Sequence, residues 1–385
     1  MTEFSHRDRV LAALDHQPAD RTPIDFGGTY ATTIYYAAYD RLKQKLGITA
    51  EQSTATVSPI RRLALVEPAV LERFDIDTRY LALGTYDGDQ KVIDEDTYFD
   101  EWGVTWRKAG DGPFIYVDGP FFGIKKPSID LLEGYDWPDP DNPGLYRGLA
   151  ERAAALRHDT DCAIILNLPV GIVHTAQFLR GFGESLTDLY RNRDFIERLY
   201  DIIADWYVRV ADNALALVGD KIDIVFFGDD LASQLAPLFD PEIYRTLMKP
   251  RHRRMIEAIK SHGAPKVLYH SCGAVTPMID DLIEIGVDAL NPIQVTAHGM
   301  EPAGLKEHYG RRIAFWGGIS TQGVLPFGSP DEVRAEVRQT IDCLGHDGGY
   351  VLNSVHNIQN DVPVENIIAM LDEARRYAPE AVREQ

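Results

Sequence analysis

The sequence predicts an α/β protein, a (β/α)8 barrel with an elaborated amino-terminal region. Three observations carry that prediction. From about residue 160 onward, short apolar runs alternate with longer segments of helical period, as βα units around a parallel sheet do. Polar residues fall just after those runs, at the strand ends where barrel enzymes collect their chemistry. The 385 residues contain no low-complexity linker and no internal repeat, so the expectation is one domain over 1–385.

Taken in order, 5–16 reads as a helix with Val10, Leu11 and Leu14 on one face, and 22–26 as the first barrel strand. The stretch 85–127 is rich in Gly, Asp, Trp and Tyr and reads as an irregular excursion or a hairpin over one end of the barrel. Further strands are expected at 163–166, 222–227, 266–269, 288–290, 313–316 and 350–352, each a short apolar run. The segments between them read as helices. That at 331–344 follows Ser329-Pro330, a cap residue and then proline at the first turn, and places Val333, Val337 and Ile341 at four-residue spacing. The segment 364–377 does the same with Ile367, Ile368, Leu371 and Ala374.

Composition narrows the function classes. With 39 basic against 59 acidic residues the formal charge is −20, which excludes a dedicated nucleic-acid binder. Hydrophobic residues at 45% and charged residues at 25% describe a globular chain able to build a large core. No apolar run approaches the ~18 residues of a membrane span, and the charged start fits no signal peptide, so a cytoplasmic protein is expected. Cys162, Cys272 and Cys343 are an odd, scattered set and form no disulfide framework. P-loop, dinucleotide, serine-hydrolase and Cys-x-x-Cys signatures are absent.

The residues that follow the strands are therefore the informative ones: Asn167, then Asp229 and Asp230, His270 and Cys272, Asn291, Gly317-Gly318, and Ser354, His356 and Asn357. Asn, Asp and Ser also serve as turn and cap residues there, so any single one carries little. His270-x-Cys272 carries more. In extended backbone, residues i and i+2 point the same way, presenting an imidazole nitrogen and a sulfur to one point, as zinc requires. A buried His and Cys without a metal give the same pattern, and both readings stay open on these two residues alone. His356 is the candidate third ligand, because it follows the last strand at the same face. Asp229 or Asp230 would add a fourth, weaker ligand or orient a ligating imidazole. Adjacent residues on a strand end point to opposite sides, so one of the two acids faces the pocket; Asp230 is favoured, with Asp229 left to cap the helix that follows. Gly317-Gly318 would open a helix and offer backbone N–H groups to an anion. Arg180 points to the site or forms a salt bridge, and Trp102, Trp106 and Tyr116 line a pocket or pack.

The runs YHSCGAVTPMIDDLIEIGVDALNPIQ, FWGGISTQGVLPFGSPDEV and GGYVLNSVHNIQNDVPVENIIAMLDEA resemble the uroporphyrinogen decarboxylase superfamily, in its branch of zinc- and corrinoid-dependent methyltransferases and demethylases. RDRVLAALDHQPADRTPIDFGG and FGDDLASQLAPLFDPEIYRTLMKP are similar to it as well, so the resemblance covers nearly the whole chain. It implies a TIM barrel. True decarboxylases of the family resemble one another in an arginine-rich amino-terminal segment that grips substrate carboxylates, and this chain has Asp25-Phe26-Gly27-Gly28-Thr29-Tyr30 there. The methyltransferase branch resembles His270-x-Cys272 as two zinc ligands, with a further cysteine after the last strand, where this chain has His356. The implied activity is transfer of a methyl group between a small methylated substrate and a corrinoid (methylcobalamin), bound as co-substrate or carried on a separate protein. The implied site comprises zinc on His270, Cys272 and His356, Asp229 and Asp230 as catalytic residues, one of them orienting the substrate, and Asn167, Asn291 and Gln294 on the substrate. A homodimer is compatible with it. The alternative is a metal-independent decarboxylase of the same superfamily acting on a non-porphyrinogen substrate.

Overall fold

Seven strands pair side by side in the computed structural model of this chain, which describes residues 4–48, 56–58, 62–88, 91–110, 112–169 and 171–378. They are Thr78–Ala82, Ala163–Asn167, Ile224–Gly228, Lys266–His270, Ala289–Asn291, Ala314–Ile319 and Tyr350–Ser354, all parallel and each next to its predecessor. The ring closes through Ile24. The Leu352 N–H donates to the Pro23 carbonyl at 2.9 Å, the Asp25 N–H to Leu352 O at 2.9 Å, and the Asp77 N–H to Ile24 O at 3.0 Å. This segment holds the eighth place of a (β/α)8 barrel, but as a one-residue bridge rather than the strand expected over 22–26. Pro23 has no N–H, and the Ile24 N–H goes to the Asp77 carboxylate at 2.7 Å, so the ladder cannot extend.

Period-two alternation sorts each strand. Ala163 and Ile165, Ile224 and Phe226, Leu268, Ala289, Ala314 and Trp316, and Val351 point inward and form one buried cluster. Val10, Ala13 and Leu14 join it from the helix His6–Leu14, which plugs the amino end of the barrel. Ser5 caps that helix through its Oγ on the Asp8 N–H at 3.1 Å. The alternate residues, such as Ile164, Leu166, Val225, Phe227, Val267 and Leu290, point outward into the larger core beneath the surrounding helices. The helices Pro330–Leu344, with a Ser329–Glu332 capping box, and Val364–Arg376 lie where the sequence places them.

Three expectations need correction. The strand Thr78–Ala82 escaped the sequence reading because Arg79 and Tyr80 break its apolar run. The excursion at 85–127 contains a four-stranded antiparallel meander, Lys91–Asp94, Thr97–Phe99, Thr105–Lys108 and Phe114–Asp118. Gly317-Gly318 lies inside a strand, with φ of +113° and +101°, rather than opening a helix; the next helix is the four-residue Val324–Phe327. Among the described residues no helix is long and apolar enough to cross a membrane.

Candidate functional site

The inward register that fills the barrel also selects what stands at its carboxyl end. His270 continues the inward series of Leu268, Asn291 that of Ala289, Asn167 that of Ile165, and Asp230 that of Ile224, Phe226 and Gly228. Beyond Cys272 the chain turns at Gly273, whose φ is +89° and where a Cβ would stand 2.5 Å from the Ser233 carbonyl oxygen. That turn holds Cys272 beside its i−2 neighbour. The Cys272 Sγ is 3.5 Å from His270 Nε2, and the rings of His270 and His356 lie 5.5 Å apart between centroids. One ligand atom from each of His270, Cys272 and His356 falls within 4.8 Å of the others.

The orientation of His270 suits ligation. Its Nδ1 is 2.7 Å from Asn291 Oδ1, an acceptor, so Nδ1 carries the proton and Nε2 turns its lone pair toward Cys272. The Asn291 amide nitrogen donates in turn to the Trp316 carbonyl at 3.4 Å, which fixes which end of the amide faces the histidine. Two imidazoles and a thiol converging with a lone pair so directed are a donor set of the kind that suits zinc.

The two acids separate as the alternation predicts. Asp230 accepts the Cys272 N–H at 2.8 Å and lies 3.7 Å from His270 Nε2. Asp229 points away, into the layer between barrel and helices, where it accepts the His174 N–H at 2.8 Å and meets His252 Nε2 at 2.9 Å. It therefore caps a helix, but the preceding one, Ile172–Arg180, and not the following one as expected. Gly171 leaves the space, since a Cβ there would lie 2.4 Å from Asp229 Oδ2. Burial opposes ionisation of Asp229, yet hydrogen bonds from His174 and His252 outweigh it and hold the carboxyl at about 2. Burial also opposes ionisation of Asp230, and His174 and the Cys272 N–H hold it well below the usual carboxylate range. Burial disfavours the charge on His174, but Asp229 and Asp230 raise it to about 10. At neutral pH the group is an imidazolium between two carboxylates, and neither acid is a proton donor.

Asn167, Asn291 and Gln294 all reach this end of the barrel, with polar groups engaged by protein. Asn167 accepts the Tyr30 N–H and donates to Gly28 O, Leu81 O and Ile165 O at 3.0–3.2 Å. Gln294 accepts the Gly273 N–H at 2.7 Å and donates to Gln234. They shape the site rather than present open donors to it. Arg180 takes the salt-bridge reading, with Nε on Asp188 at 2.7 Å. Sequence reasoning missed His174 and His252; each reaches Asp229 across a long sequence separation, and no spacing rule signals that.

A cavity of about 320 Å³ opens at the carboxyl end of the strand Ala163–Asn167, lined by Tyr30, Asn167 and Phe178 on the barrel side and by Trp102 and Trp106 of the meander region on the other. A second group, His6, Asp161 and Cys162, also gathers within 4.8 Å, at the amino ends of the strands. It suits a metal poorly. Carboxylates of Asp161 and Asp75 occupy both His6 nitrogens, at 2.7 and 2.9 Å, and burial pushes the Cys162 thiol up to about 12.

Residues 132–377 match the uroporphyrinogen decarboxylase (URO-D) family model. Among curated relatives, the uroporphyrinogen decarboxylase of Alkalilimnicola ehrlichii is 24% identical over 381 residues, covering 97% of this chain and 94% of that protein. The methylcobamide:CoM methyltransferase MtaA of Methanosarcina barkeri is 23% identical over 385 residues, covering 98% and 99%. A solved methyltransferase from Methanosarcina mazei has the same fold, with a TM-score of 0.66 at 21% identity, over 97% of this chain and 98% of that one.

Proposed function

Because the chain belongs to the uroporphyrinogen decarboxylase family, we propose that it is a zinc-dependent methyltransferase moving a methyl group between a small methylated substrate and a corrinoid carried on a separate protein. The convergence of His270, Cys272 and His356 at the carboxyl end of the barrel is the observation that carries this reading. The full-length similarity to a methylcobamide:CoM methyltransferase supports it. His270 through Nε2, Cys272 through Sγ and His356 would hold the zinc, which supplies a Lewis acid for the methyl-bearing heteroatom. Asn291 keeps the His270 lone pair aimed at that point. Asp230, held anionic, orients the Cys272 backbone, and the buried Asp229 clamps His174 behind it. With neither acid able to give up a proton at neutral pH, Asp229 and Asp230 would position their neighbours, and a proton for the leaving heteroatom would come from another group.

Freshly purified, unchelated protein is expected to carry stoichiometric zinc that is lost in Cys272→Ala. Asn291→Ala is expected to weaken zinc by about 10–100-fold while leaving the fold intact. Supplied with cob(I)alamin and a panel of methoxy, methylamine and methylthiol donors, the protein should form methylcobalamin. Zinc retained in full by Cys272→Ala, or no methylcobalamin with any donor, would remove this reading. A metal-free sample would favour the decarboxylase alternative, to which the 24% identical Alkalilimnicola relative points by name.

A further inference from the structure

The cavity beyond Asn167 has an aromatic wall. Six rings face it, those of Tyr30, Tyr80, Trp102, Trp106, Phe178 and Tyr207, and its charged lining residues are Asp100 and Glu101. Lys, Arg and His are absent from the lining among the described residues. Arg152, which acts on the Tyr80 hydroxyl from outside, is exposed and donates through Nε to the Gly148 carbonyl at 3.2 Å.

The rings are held in place before any ligand arrives. Trp106 makes edge contacts with Phe178 at 5.0 Å and Tyr116 at 6.0 Å, and stacks on Tyr98 at 6.2 Å. Trp102 packs edge-on against Trp206 at 4.9 Å, and the Tyr207 hydroxyl shares a hydrogen with Thr175 at 3.0 Å. The Asp100 carboxylate accepts from the Trp106 indole N–H at 2.6 Å and from the backbone N–H groups of Trp102 and Val104, all neutral donors. Burial, partly offset by those bonds, pushes this carboxyl up to about 6. A largely buried acid with no cation among the described lining residues, in a cavity walled by aromatic rings, is stabilised by a positive charge placed there. A neutral ligand gains only from the rings, and an anion is repelled by rings and acids alike.

Two chains of side-chain contacts lead from the cage toward the candidate metal centre. The Tyr30 ring lies 4.9 Å from that of Phe226, which lies 6.0 Å from that of His270. On the other side Phe178 is 6.0 Å from His174, whose Nε2 is 3.5 Å from Asp230. We propose that this cavity binds an alkylammonium group of the substrate, leaving the methylated heteroatom toward His270 and Cys272. This rests on the proposed function only in taking the ligand to be the methylated substrate.

The test is calorimetric titration of the full chain with choline and with its uncharged carbon isostere, 3,3-dimethylbutan-1-ol, for the wild type and Asp100→Asn. Choline is expected to bind about tenfold or more tighter than the alcohol, from the cation–π and charge contributions that the alcohol lacks. Asp100→Asn should weaken choline several-fold and leave the alcohol unchanged. Equal or tighter binding of the alcohol, or no binding of choline, overturns the proposal. The wild-type comparison decides even if the variant misfolds. Neither titration needs zinc or a corrinoid, so the two readings fail separately. Methyl transfer from an uncharged donor without choline binding would keep the proposed function and remove the alkylammonium site, and choline binding by a zinc-free protein would do the reverse.

Discussion

Asn291 and His270 show how much of the site is decided by a single contact. His270 and Cys272 are legible as a pair because they sit two residues apart on a strand end, but which imidazole nitrogen is available depends on Asn291, from the neighbouring strand. Asp229 and His174 are the converse case. The alternation rule is enough to expect that Asp229 and Asp230 face opposite ways, yet only the packed structure supplies the two histidines around Asp229. Asp229→Asn should therefore destabilise the protein by about 3 kcal/mol near neutral pH, since it leaves a buried imidazolium short of a partner. The pH dependence follows from the shifts. Asp229, depressed to about 2, contributes fully above its unfolded value of about 4. That contribution fades as pH falls toward 2. His174, raised to about 10, contributes fully below about 6.5 and progressively less as pH rises to 10. Urea denaturation should show the gap between wild type and variant widest between about pH 4 and 6.5 and closing toward pH 10; a gap constant across that range would contradict the ion-pair account.

At the scale of the element, six strands are readable because each is covered on both faces and so appears as an uninterrupted apolar run. Thr78–Ala82 has half-buried Arg79 and Tyr80 in that position, and Arg79 spends its guanidinium on the Ile76 and Thr78 carbonyls. The Ile24 bridge is too short to carry a period at all. The Ser329–Glu332 capping box is visible in the sequence because both partners are local. The loop after Lys266–His270 is different: it must turn at Gly273 against the Ser233 and Ala232 carbonyls, 40 and 41 residues earlier in the chain. Gly273→Ala places an L side chain at φ +89° and into those backbone atoms. A loss of at least about 1–2 kcal/mol in urea denaturation is expected, together with release of zinc to a weaker chelator, because the same turn positions Cys272. Wild-type stability and wild-type zinc retention in this variant would show that the turn does not hold the thiol.

For the molecule as a whole, the amino-terminal segment is woven into the barrel at both levels. The helix His6–Leu14 fills its base, and Ile24 closes its ring. Arg9 and Arg21 pin these pieces to the buried Asp77 at 2.6 Å each. We propose on this basis that residues 1–385 form one domain, and circular dichroism in the far and near ultraviolet should follow a single coincident thermal transition. Two separated transitions would divide the chain. Some features of this protein are written locally. The apolar periodicities, the caps and the i, i+2 pair need only neighbouring residues, so the sequence by itself determined the barrel and the placing of His270, Cys272 and His356 at its carboxyl end. Barrel closure at Ile24, the Asn291 and Asp229 partnerships and the aromatic cage needed the tertiary structure. Each joins residues tens to hundreds of positions apart, whose meeting is set by packing that no local pattern encodes.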